Sequence, residues 1–187
     1  MNTFRQHIEK ITPLKDEEFD YIFSMFSIKK LRKHQFLVQE DDEVANDYWV
    51  INGLLKAYHI NKGGKMHILQ FAMEDWWISD YQAYNNKTLA TISIDCIEDS
   101  ELLVLSRENK EKLCREMHTV SDFFRKKSNM GYVALQQRIL MLLEKNPQER
   151  YNRLHHLTPQ LLQRLPKTLI ASYLGISREA LSRLKHP

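Results

Sequence analysis

The stretch that most constrains this chain runs from residue 165 to 185, LPKTLIASYLGISREALSRLK. It reads as two helices joined by a tight turn. Pro166 suits a first helical turn, where its missing N–H costs nothing. Ile170 and Leu174 stand one turn apart on a common face, and Ala171 is small enough for a close helix crossing. Gly175 then ends the helix in the left-handed conformation at least cost, and Ile176 turns inward. Ser177 supplies a cap for the next helix, with Glu179 in its first turn to complement the dipole.

At roughly 100° per residue, the second helix divides cleanly. Arg178, Glu179, Ser182, Arg183 and His186 fall on one side, and Ala180, Leu181 and Leu184 on the other. The apolar side can bury against Ile170 and Leu174. The polar side presents two guanidiniums, a carboxylate and a hydroxyl. Arg donors match the O6 and N7 acceptors of guanine, and a carboxylate can accept from cytosine N4. This is the pattern of a helix-turn-helix with a base-reading face. The alternative is an ordinary helical hairpin with a solvated charged face.

Charge distribution bears on that choice. The chain of 187 residues has a net charge of +3. Residues 146–187 carry seven Lys and Arg (Arg150, Arg153, Arg164, Lys167, Arg178, Arg183 and Lys185) against Glu149 and Glu179, a net +5, which leaves −2 for the rest. A basic end on a slightly acidic protein is the electrostatic footprint of phosphate-backbone binding.

Upstream, the residue period changes twice. Phe19, Ile22, Phe23 and Phe26 repeat at helical spacing behind the acids of LKDEEFDYIFSMF, which predicts a short amphipathic helix with a core-facing Phe stripe. Lys30 to Glu40 alternates like a strand. YWVINGLLKAYHI, with Asn52-Gly53 inside it, then the turn Asn61–Lys65, MHILQFAM and TISIDCIEDSELLVLS continue in short strands. Many short strands with turns between them predict a small barrel or jelly roll. Trp76 and Trp77 are expected to pack its core, with a ligand pocket as the alternative.

The helical period returns after Arg107. Residues 110–117 predict one short helix and residues 119–144 a long one. The long helix carries a mixed stripe (Val120, Phe124, Lys127, Gly131, Ala134, Arg138, Met141) and an apolar one (Leu135, Ile139, Leu142, Leu143). Two stripes suggest packing on the helix's own domain and on a partner. Asn146-Pro147 ends it, and one more helix is expected near Pro159–Arg164. The expected domains are 1–118, 119–145 and 146–187.

Other chemistries find little support. Cys96 and Cys114 are too far apart for a metal or iron–sulfur spacing, and the eight histidines are scattered. There is no nucleophile elbow, P-loop, dinucleotide fingerprint or HExxH, so no enzyme, metal site or cofactor is expected. No apolar run approaches the length of a membrane span and the N-terminus lacks a signal-peptide core, so a cytoplasmic location is expected.

The order of parts, small β-barrel, long helix and C-terminal helix-turn-helix, resembles the Crp/Fnr family of bacterial transcription regulators. The likeness covers nearly the whole chain. It is carried by LGISREALSR at 174–183, by FLVQEDD at 36–42 leading to WVINGLLKAY, and by ELLVLS at 101–106. IASYLGIS and DWWISDYQAY look like the family's Bacteroidetes branch. The resemblance implies an α+β chain: an N-terminal cyclic-nucleotide-binding-like jelly roll, a long dimerisation helix and a winged-helix-like DNA-binding domain. It implies a homodimer that reads an inverted repeat in double-stranded DNA, with RNA polymerase as a further partner and a small-molecule effector. Arg178, Glu179 and Arg183 match the family's Arg-Glu-x-x-x-Arg pattern. The implied DNA-binding set is Lys167, Thr168, Ser177, Arg178, Glu179, Ser182, Arg183 and Lys185.

The implied effector pocket departs from the pattern. Cyclic-nucleotide binders carry a Gly-Glu pair and, a short way on, an Arg-Ser pair. Here Ser79-Asp80 and Ala90-Thr91 take those places. Asp80 can accept a hydroxyl, but Ala90 cannot pair with a phosphate, and nearby Lys87 cannot reproduce the guanidinium fork. Phe123-Phe124 replace the adenine-facing Thr-Ser of the long helix. The expectation is a pocket that is vestigial or adapted to another small molecule. The competing reading from a different class is a ligand-binding or scaffold protein whose helix-turn-helix makes protein contacts.

Overall fold

The computed structural model describes residues 2–144 and 146–185. The chain divides into two compact units, Met1–His59 with Gln70–Ser128, and Ile60–Leu69 with Asn129–Pro187.

The first unit opens with α1 (Asn2–Glu9) and α2 (Asp16–Ser24). The sequence reading did not anticipate α1. Phe26, expected on the second helix, is instead the first residue of β1 (Phe26–Leu31), because Met25 closes α2. The strands that follow are β2 (Phe36–Val38), β3 (Asn46–Asn52), β4 (Leu55–Ile60), β5 (Met66–Ala72) and β6 (Trp77–Ile78). After the short α3 (Tyr81–Asn86) come β7 (Ser93–Cys96) and β8 (Ser100–Ser106). They form two four-stranded sheets ordered β1-β8-β3-β6 and β2-β7-β4-β5. The pairings between β1 and β8, β3 and β8, β3 and β6, β2 and β7, and β4 and β7 are all antiparallel. This is the expected jelly roll. The chain crosses between sheets at Gly53, whose φ is +112°; a Cβ there would lie 2.3 Å from Ser100 Oγ, so the crossing requires glycine.

β3 and β8 are buried on both faces. Tyr48, Val50 and Leu102 point into the core between the sheets, with Leu55, Ala57, Ile94 and Cys96 of the second sheet. Trp49, Leu103 and Leu105 point the other way, into a second core shared with Phe4, Ile8, Phe19, Ile22, Leu113, Val120 and Phe123. Strands covered on both faces read as continuous apolar runs, which explains the LLVL stretch of β8. The covering helices are α1, α2, α4 (Arg107–Glu116) and the start of α5 (His118–Glu144).

The second unit holds the hairpin tip between β4 and β5 and the rest of α5, followed by α6 (Pro147–Leu157), α7 (Pro159–Arg164), α8 (Lys167–Leu174) and α9 (Arg178–Ser182). Two helices, not one, fill 147–164. Asn146 does more than end α5: its side chain accepts the Glu149 N–H at 3.0 Å and Pro147 takes N1, so the pair starts α6. Pro166 stands at the N-cap of α8, one residue before the expected place. Among the described residues no strand follows α9, so a wing is not among them. No helix among them is long and apolar enough to cross a membrane.

Candidate nucleic-acid interface and effector pocket

The turn between α8 and α9 is built as its residues dictate. Gly175 takes φ +70° at the end of α8, and the Ile176 N–H closes on the Ala171 carbonyl at 3.0 Å. The Ser177 hydroxyl accepts the Ala180 N–H at 3.1 Å and caps α9. Ile170, Ala171, Leu174 and Leu181 are buried. The Arg150 guanidinium donates to the Leu174 carbonyl at 2.7 Å and fixes the end of α8 from α6.

All eight residues expected to meet DNA are exposed: Lys167, Thr168, Ser177, Arg178, Glu179, Ser182, Arg183 and Lys185. Ala180 and Leu184 are half-buried beneath them. His186, expected on the same face, lies outside the described residues. Besides the Ser177 cap, two side chains bond locally. The Ser182 hydroxyl donates to the Arg178 carbonyl at 3.1 Å. The Glu179 carboxyl is held below its usual range by its own backbone N–H and the Ser177 hydroxyl, with Arg178 and Arg183 adding to the effect. The backbone of Lys185 is tied to Gln148 of α6 in both directions, at 2.8 and 2.9 Å.

The residues expected to line the effector pocket divide into two groups. Ser79, Asp80, Ala90 and Thr91 come together around α3. Asp80 is its N-cap: one carboxylate oxygen accepts the Ala83 N–H at 3.0 Å, the other the Thr91 N–H at 2.8 Å and the Thr91 hydroxyl at 3.1 Å. The Ser79 hydroxyl donates to the Asn46 carbonyl at 2.8 Å. The Ala90 backbone is paired in both directions with Asp41 and Asp42, at 2.9 and 2.8 Å, and its methyl packs in the core between the sheets. Lys87 is the exposed, left-handed C-cap of α3. Phe123 and Phe124 do not join this group. They belong to the core on the far face of the first sheet, where Phe123 faces His7 and Phe124 faces Trp77. Trp76 packs on the core between the sheets and Trp77 on the outer one.

Sequence reasoning missed a buried polar cluster beside α3. Asp47 accepts from Lys110 Nζ at 2.6 Å and from the Tyr81 hydroxyl at 3.0 Å. Burial pushes the Asp47 carboxyl up, while Lys110 and Tyr81 draw it down. Arg107 lies over the Tyr84 ring at 4.9 Å and donates to the Val44 carbonyl at 2.6 Å. Among the described residues no group of three or more His, Cys, Asp or Glu is placed to hold a metal.

Residues 28–117 match the family model of the cyclic nucleotide-binding domain. No curated protein matches the sequence significantly. Solved structures do. FixK2 from Bradyrhizobium japonicum is 18% identical, with 84% of this chain and 81% of that one covered at a TM-score of 0.69. The catabolite activator protein of Thermus thermophilus is 22% identical over 91% of this chain and 81% of that one, at 0.56. A putative regulator of the Crp/Fnr family from Eubacterium rectale is 14% identical over 91% and 81%, at 0.68. Residues 28–117 are thus similar to a cyclic nucleotide-binding domain. The chain as a whole has the fold of the Crp/Fnr-type transcription regulators.

Proposed function

We propose that this protein is a homodimeric, sequence-specific DNA-binding transcription regulator of the Crp/Fnr type, acting in the cytoplasm, with an effector pocket not adapted to cyclic AMP. On this reading residues 1–118 form the effector domain, 119–145 the dimerisation helix and 146–187 the DNA-binding domain. The observation that carries it is the division of α9. Arg178, Glu179, Ser182 and Arg183 are all exposed, while Leu181 on the opposite side is buried. A helix fixed by its apolar side and open on its polar side can enter a major groove without unfolding anything. Lys167 and Thr168, exposed at the start of α8, suit the sugar–phosphate backbone.

Dimerisation is supported by α5. Met130, Tyr132, Val133, Leu135, Ile139, Leu140, Leu142 and Leu143 are exposed on it, a row of apolar side chains that a soluble monomer rarely leaves open. The effector reading is supported by the cassette around α3. Asp80 is saturated by its own chain, and Ala90 offers no cation to a cyclic phosphate.

The test is anisotropy titration of labelled random duplex DNA at several salt concentrations. The expected result is binding whose log affinity falls linearly with log salt. Absence of binding at low salt contradicts the reading.

A further inference from the structure

Arg138 stands apart on α5. Between Ser128 and Leu143 every residue is exposed except Arg138 and Met141. What withdraws Arg138 from water is a pair of main-chain carbonyls from two distant segments of the same compact unit. Its Nη2 donates to Ile68 of the β4–β5 hairpin at 2.9 Å and to Tyr173 of α8 at 3.0 Å. The guanidinium carbon lies 3.6 Å from the centroid of the Tyr173 ring. Beside it, the Ser172 hydroxyl donates to Met66 of the hairpin at 2.7 Å. Nη1 is buried and has no hydrogen-bond partner among the described residues.

A guanidinium half-withdrawn from water without a carboxylate is costly. Charge-assisted bonds to carbonyls offset that cost only while both acceptors stay in place. Moving either the hairpin or α8 strands the charge, so the two segments hold each other through one side chain. The hairpin's strands run on into the sheet β2-β7-β4-β5. α8 runs through the Gly175 turn into α9.

We propose that Arg138 is a positioning residue for DNA recognition: its guanidinium ties α8, and through it the reading helix α9, to the β4–β5 hairpin. Its consequence for DNA rests on the DNA-binding reading above; the tie itself does not. A preset helix pair loses less freedom on binding than a loose one.

The test is hydrogen exchange of the full chain without DNA, followed by DNA titration. Arg138→Met keeps the stem and removes the fork. It should raise exchange about tenfold or more in both 66–69 and 170–176 and leave β3 and β8 unchanged. Unchanged exchange in either segment overturns the proposal, as does an equal rise across β3 and β8. Where Arg138→Met fails to fold, Ser172→Ala should raise exchange in the same two segments by a smaller factor, and no rise overturns the proposal. On an inverted-repeat site selected by the wild-type protein, Arg138→Met should bind about tenfold more weakly; wild-type affinity overturns the positioning role. A wild-type protein that binds no DNA refutes the functional reading and leaves the exchange result standing.

Discussion

The carboxylate of Asp80 takes both the backbone N–H of Thr91, at 2.8 Å, and its hydroxyl, at 3.1 Å. Its other oxygen caps α3. Two of the residues expected to line the effector pocket are thus bonded to each other. Asp80→Ala removes a cap and leaves the Thr91 N–H and hydroxyl without their acceptor, and should cost about 2–3 kcal/mol in urea unfolding. Cyclic AMP at millimolar concentration should leave the wild-type melting temperature unchanged, since a ligand that binds the folded state must raise it. A dose-dependent rise counts against the pocket reading. Ala90→Arg alone should not create tight binding, because Asp80 remains engaged and Phe123 and Phe124 lie in a different core.

Association should depend on the open side of α5. Leu135 is 57% exposed and Leu143 77%. Sedimentation equilibrium at micromolar concentration should give twice the 22.3 kDa chain mass, and Leu135→Glu should shift the protein toward monomer by placing a charge in an apolar seam. A wild-type monomer, or a Leu135→Glu dimer of wild-type strength, contradicts this arrangement.

Stability should fall with acid through His7. Its ring is buried, Nδ1 lies 2.5 Å from Asp75 Oδ1, and Nε2 accepts the Trp77 indole N–H at 3.0 Å. An acceptor Nε2 requires the neutral ring with its proton on Nδ1. Burial lowers the His7 pKa below its ordinary 6.5, and Lys127 and Lys10 lower it too, while Asp75 opposes them. The folded state therefore binds the proton less readily than the unfolded one. The contribution of His7 is whole above about pH 6.5 and is lost as pH falls toward the depressed value, at no more than about 1.4 kcal/mol per pH unit. Urea titrations from neutral to mildly acid pH should show this slope, and His7→Gln should flatten it. An unchanged slope in His7→Gln contradicts the assignment.

Much of this architecture was legible because its periods were clean. The face of α9 could be drawn from residue numbers, since a short helix with one buried Leu leaves little freedom. The strand runs and Gly53 marked the jelly roll. What escaped was set by tertiary contact. α1 has few apolar residues and earns its place through Phe4 and Ile8 in the outer core. The engagement of Asp80 escaped because Thr91 is brought to it only by the return of the chain after α3. The separation of Phe123 and Phe124 from the residues around α3 escaped as well, because the long helix begins against the far face of the first sheet. Arg138 sat in a mixed stripe, and nothing in its neighbours announced two carbonyls from other segments.

On the proposed DNA-binding function, α9 reads bases while the start of α8 anchors phosphates. The most direct test is a comparison of Arg183→Ala and Lys167→Ala on a site selected from random oligonucleotides and on random DNA. The selected site should be an inverted repeat with half-sites about one helical turn apart. Arg183→Ala should lose about 1–3 kcal/mol on that site and little on random DNA, as removal of a guanine contact requires. Lys167→Ala should weaken both DNAs alike and make the salt slope shallower by about one per half-site. Equal losses on both DNAs for Arg183→Ala, or a selection that returns no palindrome, would contradict the account.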